Sequence, residues 1–321
     1  MSVISLTDPN SGSNVLIAPN LGFNAFEFTA QVRDWKIRVL DSDPAFASGA
    51  LKPSRYGIPI LFPFPNRIRG GRFTWDGREY VIPAESGRHD AMGNAIHGFC
   101  LDRPWRVTSQ GERFAVGQFQ LSVDAPERRS MWPTDFILEF RYEVRGNALR
   151  CDIRIENPDR IPLPWGLGTH PYFHLPLDET SQPERCMVQV PASREWVLID
   201  GVPTGEIKDV SPEKDLRAGE YFDVLKLDDV LTDVEIVDGV STYAIFDEAA
   251  GLQMVHRSGA EFRECVVFTP PNRPCVCLEP YTCATDAINL QARGVDAGLR
   301  VLPPGGQAHL WFEISASALI V

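Results

Sequence analysis

The sequence predicts an all-β protein, a large antiparallel β-sandwich with few short helices, on three observations: stretches with a period of two, tight turns between them, and scattered prolines. The clearest stretch lies mid-chain. Phe136, Leu138, Phe140, Tyr142 and Val144 alternate with Ile137, Glu139, Arg141 and Glu143, which gathers the apolar side chains on one side of a strand. Gly146-Asn147 supplies a turn. Leu149, Cys151, Ile153 and Ile155 then alternate with Arg150, Asp152, Arg154 and Glu156, making a long hairpin whose single apolar face must cover a core.

The same pattern recurs on either side. Phe73 and Trp75 lead into Asp76-Gly77 and out through Tyr80 and Ile82, and Leu310, Phe312 and Ile314 repeat the alternation near the end. The 26 prolines are spread along the chain, and each removes a helical donor, so only short helices fit, for example from Asp286 to Ala292. No repeat, low-complexity tract or Gly/Ser linker divides the chain, which predicts one domain over residues 1–321.

Composition narrows the partners. A hydrophobic fraction of 44% and a charged fraction of 23% are those of a chain able to bury a sizeable core. The formal charge of -12 arises from 43 acidic and 31 basic residues, with no basic run to track a phosphate backbone, so no nucleic acid is expected. A neutral polar small molecule suits this field best; a local arginine pocket would be needed to hold a phosphorylated one. The seven cysteines are odd in number and include no CxxC pair, the pattern of free thiols in a reducing cytoplasm, with no metal site. The first residues, MSVISLTDPNSGSN, lack a basic then apolar leader, and no long apolar run occurs, which predicts a cytoplasmic protein with no membrane partner.

Candidate chemistry sits at turns and strand ends. His97 lies in Asn-Ala-Ile-His-Gly-Phe and His170 in Gly-Thr-His-Pro-Tyr-Phe-His-Leu-Pro; such positions present functional side chains on a rigid scaffold, or else bond the backbone at a strand terminus. Glu279 is more informative. Cys265–Phe268 and Cys275–Leu278 read as apolar strands joined by the Pro-rich turn 269–274, and alternation puts Cys275, Cys277 and Glu279 on one face. A carboxylate there is partly desolvated, which raises its pKa and suits a general base; the competing reading pairs it with Arg273. Arg67, in Phe-Pro-Asn-Arg-Ile-Arg-Gly-Gly, could grip adjacent hydroxyls with its planar fork or be a solvated arginine. Asp228 and Asp229 are hydroxyl acceptors or an acidic turn.

Taken together and in chain order, these segments resemble the aldose 1-epimerase (galactose mutarotase-like) family. Asn66-Arg67-Ile68 with Gly70-Gly71-Arg72-Phe73 looks like its arginine segment, Ile96-His97-Gly98 like its first histidine motif, and His170-Pro-Tyr-Phe-His174-Leu175 like its second. Leu227-Asp228-Asp229 is similar to its substrate-binding aspartate, and Leu278-Glu279-Pro280 to its catalytic glutamate. His174 stands where Asn is more usual, and Tyr281 where Gln is commoner. The likeness runs from about Arg55 to the C-terminus, the first fifty residues being uninformative. It implies a β-supersandwich whose groove holds one sugar with no cofactor and no metal, and interconversion of the α and β anomers of a free aldose. Glu279 would be the general base at the C1 hydroxyl and His170 the general acid at the ring oxygen, with His97, Arg67 and Asp228 binding substrate. Trp165 and Tyr172 are candidate apolar walls, or equally core-packing aromatics.

Three rivals remain. A hexose-6-phosphate 1-epimerase would need further cations, for which Arg69, Arg72 and Arg273 are near enough to the motifs. A non-catalytic carbohydrate-binding or sensor protein would not need Glu279 and His170 together. A glycoside hydrolase would need two carboxylates about one bond, formally Glu279 and Asp228.

Overall fold

Antiparallel pairing organises nearly everything in the computed structural model, which describes residues 2–85 and 88–319. The mid-chain hairpin forms as its alternation dictates: Ile137–Arg145 pairs with Ala148–Glu156, Phe140 facing Ile153 and Tyr142 facing Cys151. Gly146 makes the turn with a φ of 57°, a conformation glycine reaches without cost. This hairpin supplies two neighbouring strands of a nine-stranded antiparallel sheet in which Gln307–Ala318, the middle strand, lies beside Ala148–Glu156 and Leu252–Gly259 beyond it. The expected hairpin Arg72–Trp75 with Arg78–Val81 and the short helix Ala287–Ala292 are also present.

A second sheet of eight strands has at its centre Asp228–Val234, Glu264–Phe268 and Cys275–Tyr281. The residues before Arg55 build a four-stranded sheet from Ile4–Thr7 to Trp35–Arg38. Phe26, Phe28, Ala30 and Val32 alternate with Glu27, Thr29 and Gln31 in the strand Asn24–Val32, a signal the motif-based reading passed over.

The two large sheets share one core. Phe140, Tyr142, Ile153, Phe312 and Ile314 of the first sheet are buried in one apolar cluster with Leu231, Val267, Val276 and Leu278 of the second. Each such side chain contributes roughly 1.5–3 kcal/mol on burial. In Cys275–Tyr281 the alternation expected from the sequence holds: Val276 and Leu278 join that core, whereas Cys275 and Cys277 pack with Tyr172 on the opposite face. The second sheet therefore seals the core with one face and offers the other to a cavity.

Candidate active site

That second face is the floor of a cavity of about 280 Å3, and Arg67, His97, His170, Asp228 and Glu279 all line it. Strand register explains why. Gly168 pairs with Tyr281 and Tyr172 with Cys277, a register that sets His170 opposite Glu279, while Val266 flanks Glu279 on the other side. His170 Nε2 lies 3.3 Å from Glu279 Oε1, with both side chains buried. Sequence alone had no means of setting that distance.

The strand runs on through Tyr281, so Glu279 sits inside it rather than at its end and is 1% exposed, more deeply desolvated than expected. Burial pushes its pKa well above the ordinary carboxylate value, against a hydrogen bond from Tyr281 that lowers it. The Tyr281 hydroxyl donates to Glu279 Oε2 at 2.5 Å. Oε1 has no hydrogen-bond donor aligned with it, because the nearby imidazole is close but off-axis. Arg273, the alternative partner for Glu279, instead pairs with Asp41, and His174 approaches the same Asp41 at 3.4 Å. His174 therefore belongs to the support of Arg273, not to the cavity wall.

His170 follows Thr169 and is held by its backbone N–H on Pro59 O at 3.0 Å, its ring stacked on Tyr172 at 4.6 Å. Burial pushes the imidazole pKa down to about 3. Burial thus acts on the two neighbours in opposite directions, raising Glu279 and lowering His170, and in both it opposes the charged form.

Arg67 and His97 come from neighbouring segments. Arg67–Ile68 pairs with Ala95–Ile96, and His97 N–H donates to Asn66 O at 2.7 Å. Asp286 clamps the segment from the helix side, its N–H on Arg67 O and its Oδ1 accepting from Arg69 N–H. Arg67 Nε bonds Asp90 Oδ2 at 2.7 Å and its Nη1 bonds Asn66 Oδ1 at 3.0 Å, so its fork is fixed in place. His97 is half-buried and enclosed by the walls, and this desolvation, with His170, Arg88 and Arg67 nearby, lowers its pKa well below the usual value. It meets a ligand as a neutral imidazole.

Asp228 opens its strand at the cavity rim, where the surrounding walls raise its pKa. Asp229 points elsewhere and binds Lys214 at 2.8 Å, a lysine it shares with Glu195. Of the expected walls, Tyr172 lines the cavity; Trp165 does not, being 2% exposed in the main core beside Phe62. Arg69 and Arg72 also lie outside the lining, the latter pairing with Glu79 on its hairpin. Sequence reasoning missed Lys52, Ser54, Arg55, Arg88 and Asp90, which also line the cavity. Their loops carry no periodicity from which a facing direction follows.

Among the described residues, one group could gather ligands for a metal: His170, Cys277 and Glu279, with donor atoms within 4.8 Å of one another. Burial raises the pKa of both the Cys277 thiol and the Glu279 carboxyl, which opposes the anionic forms that ligation needs.

A β-sandwich with a buried carboxyl–imidazole pair on the floor of a polar cavity is a scaffold for proton transfer at a small polar ligand. Residues 19–315 match the sequence profile of the family described as Aldose 1-epimerase, and the chain belongs to that family of carbohydrate epimerases. The match also takes in residues before Arg55, beyond the reach of the motifs. The chain is 27% identical over 140 residues to the uncharacterized protein YihR of Escherichia coli, covering 43% of this chain and 42% of that one. To the galactose mutarotase of Bos taurus it is 28% identical over 202 residues, 61% of this chain and 54% of the relative. It thus spans about half the length of the curated relatives it matches. A galactose mutarotase-like protein from Clostridium acetobutylicum superposes with a TM-score of 0.84 at 22% identity, over 96% of this chain and 94% of that one, a likeness of fold. Among the described residues no helix is long and apolar enough to cross a membrane.

Proposed function

We propose that the protein interconverts the α and β anomers of an aldose by opening and reclosing the sugar ring, with Glu279 as base and His170 as acid. The observation that carries this reading is the buried contact of 3.3 Å between His170 Nε2 and Glu279 Oε1 on the cavity floor. A sugar lying over the pair would meet the carboxylate with its C1 hydroxyl and the imidazolium with its ring oxygen. Glu279 takes the hydroxyl proton as His170 gives one to the ring oxygen, so the C1–O5 bond breaks without an oxyanion accumulating. Rotation about C1–C2 and the reverse transfers give the other anomer. Arg67, fixed by Asp90, and neutral His97 hold hydroxyls, and Asp228 accepts from another. Polarimetry on freshly dissolved α-glucose and α-galactose tests the reading; rates no faster than the uncatalysed ones for every aldose tried would end it.

Protonation of the pair sets the pH dependence. Activity requires one proton on the pair: a second, taken up by His170, gives the acid limb, and loss of the only one from Glu279 gives the alkaline limb. Since burial lowers His170 and raises Glu279, the acid limb is expected well below the usual histidine pKa of ~6.5 and the alkaline limb well above the usual carboxylate value of ~4.3. In Tyr281→Phe the carboxylate loses a donor. Its pKa rises further, so the alkaline limb moves to higher pH while the rate across the plateau falls roughly tenfold; an alkaline limb that stays put would remove Tyr281 from the proton-transfer unit.

This chemistry is carried by side chains, so prior incubation with EDTA is expected to leave the rate unchanged. A loss restored by adding zinc would reassign His170, Cys277 and Glu279 to a metal.

A further inference from the structure

The cavity is charged against the sense of the rest of the chain. The protein carries a formal charge of -12, yet the cavity lining contains Lys52, Arg55, Arg67, Arg88 and Arg273 against Asp90, Asp228 and Glu279. Arg67 is matched by Asp90 and Arg273 by Asp41. Among the described residues, Lys52, Arg55 and Arg88 form no ion pair, and Arg88 has a buried Nε with no hydrogen-bond partner. Arg88 is only part-buried and Lys52 and Arg55 are exposed, so all three can offer donors to a ligand in the cavity.

These cations are tied into one wall. Arg88 Nη2 donates to Ser54 Oγ at 2.9 Å, Tyr172 Oη donates to Ser54 O at 2.8 Å, and Arg273 Nη1 donates to Arg55 O at 3.0 Å. Tyr172 is the ring on which His170 stacks. Arg273 also lies over the Tyr172 ring at 5.1 Å, so Arg88 and Arg273 both converge on the ring that backs His170, whereas Glu279 has Tyr281 and Val266 beside it. The cavity therefore has a carboxylate side at Glu279 and a cationic side at His170.

From that polarity we infer that the substrate is an aldose bearing an anionic group on its exocyclic C6, held by Arg88, Lys52 and Arg55 beside His170. The assignment rests on the mutarotase reading, which puts C1 at Glu279 and the ring oxygen at His170. The next atom around the ring is C5, and its exocyclic substituent falls on the His170 side, where the unmatched cations are. The anion does more than anchor. It offsets the positive field that opposes protonation of His170, so the imidazolium needed as acid forms more readily once substrate is bound. A carboxylate, phosphate or sulfate shares the required chemistry, with planar guanidinium forks suited to each.

The test compares mutarotation of α-glucose, α-glucuronic acid, α-glucose 6-phosphate and α-glucose 6-sulfate, each corrected for its uncatalysed rate, using wild type, Arg88→Gln and Lys52→Gln. At least one anionic sugar is expected to exceed glucose in kcat/KM by roughly ten- to hundredfold, the scale of one or two charge-assisted hydrogen bonds. That ratio should shrink towards one in Arg88→Gln and fall in Lys52→Gln, whose exposed position keeps the variant folded should Arg88→Gln not be. The three anionic arms identify which group is preferred. Glucose used as well as or better than all three overturns the inference and leaves the mutarotase reading intact, as does an anionic preference that neither variant alters. Acceleration of no sugar at all overturns both.

Discussion

Glu279→Gln is expected to slow mutarotation by about a hundredfold or more while the protein stays folded. Gln keeps the shape of the side chain and can still accept from the Tyr281 hydroxyl, which now lies 2.5 Å from Oε2. What it loses is the ability to take a proton, and removing a positioned general base costs roughly 10²–10⁴ in rate. Stability should hold or rise slightly, because a neutral amide has no ionised form to desolvate at a site only 1% exposed. KM should change far less than kcat, since the hydroxyl-binding groups are untouched. His170→Asn is expected to fall by a similar factor. If the two side chains act together on the sugar as proposed, the double variant should be little slower than the slower single one, because one half of an acid-base pair is little better than none. Polarimetric rates on the three proteins, with unfolding curves to establish folding, decide it. An unimpaired Glu279→Gln rate would remove the base from the mechanism.

How far the sequence could carry this site depended on whether a residue sat in a periodic element. Glu279 was legible because Val276 and Leu278 against Cys275 and Cys277 define two faces, and those faces are the ones found, core on one side and cavity on the other. The hairpin around Gly146 was legible on the same ground, two faces and a turn. Where period fails, direction fails with it: Asp228 and Asp229 are equivalent on paper, and only the strand they open sends one to the cavity and the other to Lys214. Trp165 reads equally as a cavity wall or a core aromatic, and its place in the core is decided by the sheets that close over it. Arg88 and the 52–55 segment lie in loops, where nothing local encodes that they meet; their encounter depends on Ser54 and Tyr172, more than a hundred residues apart. His170 and Glu279 are likewise distant in sequence, and it is register, set by many pairings, that brings them opposite each other.

The largest expected loss of stability comes from Gly98→Ala. Gly98 has a φ of +66°, and an added Cβ would lie 2.1 Å from Phe62 O and 2.4 Å from Phe62 C. These are backbone atoms already engaged, since Phe62 O accepts from Phe99 N–H at 2.7 Å and Gly98 bridges to Phe62. They cannot swing aside as a side chain would. The left-handed backbone alone costs an alanine roughly 1–2 kcal/mol, and forced displacement in a packed interior adds about 1–3 kcal/mol. About 3 kcal/mol in total should lower Tm by roughly 5 °C in a chain of this length. Gly146 provides the control: its φ is +57° but a Cβ there meets nothing within 4 Å, so Gly146→Ala should lose only the backbone cost of roughly 1–2 kcal/mol. The two substitutions separate further in activity. Gly98 follows His97, which is itself left-handed at φ 64° and lines the cavity. A shift of the chain away from Phe62 carries that imidazole with it, and a displacement of about 1 Å at a positioned group can cost roughly a hundredfold. Gly146→Ala, at the turn of the mid-chain hairpin, should keep the wild-type rate. Equal melting temperatures for the two variants would mean that the close approach of Gly98 to Phe62 is not what holds His97 at the cavity.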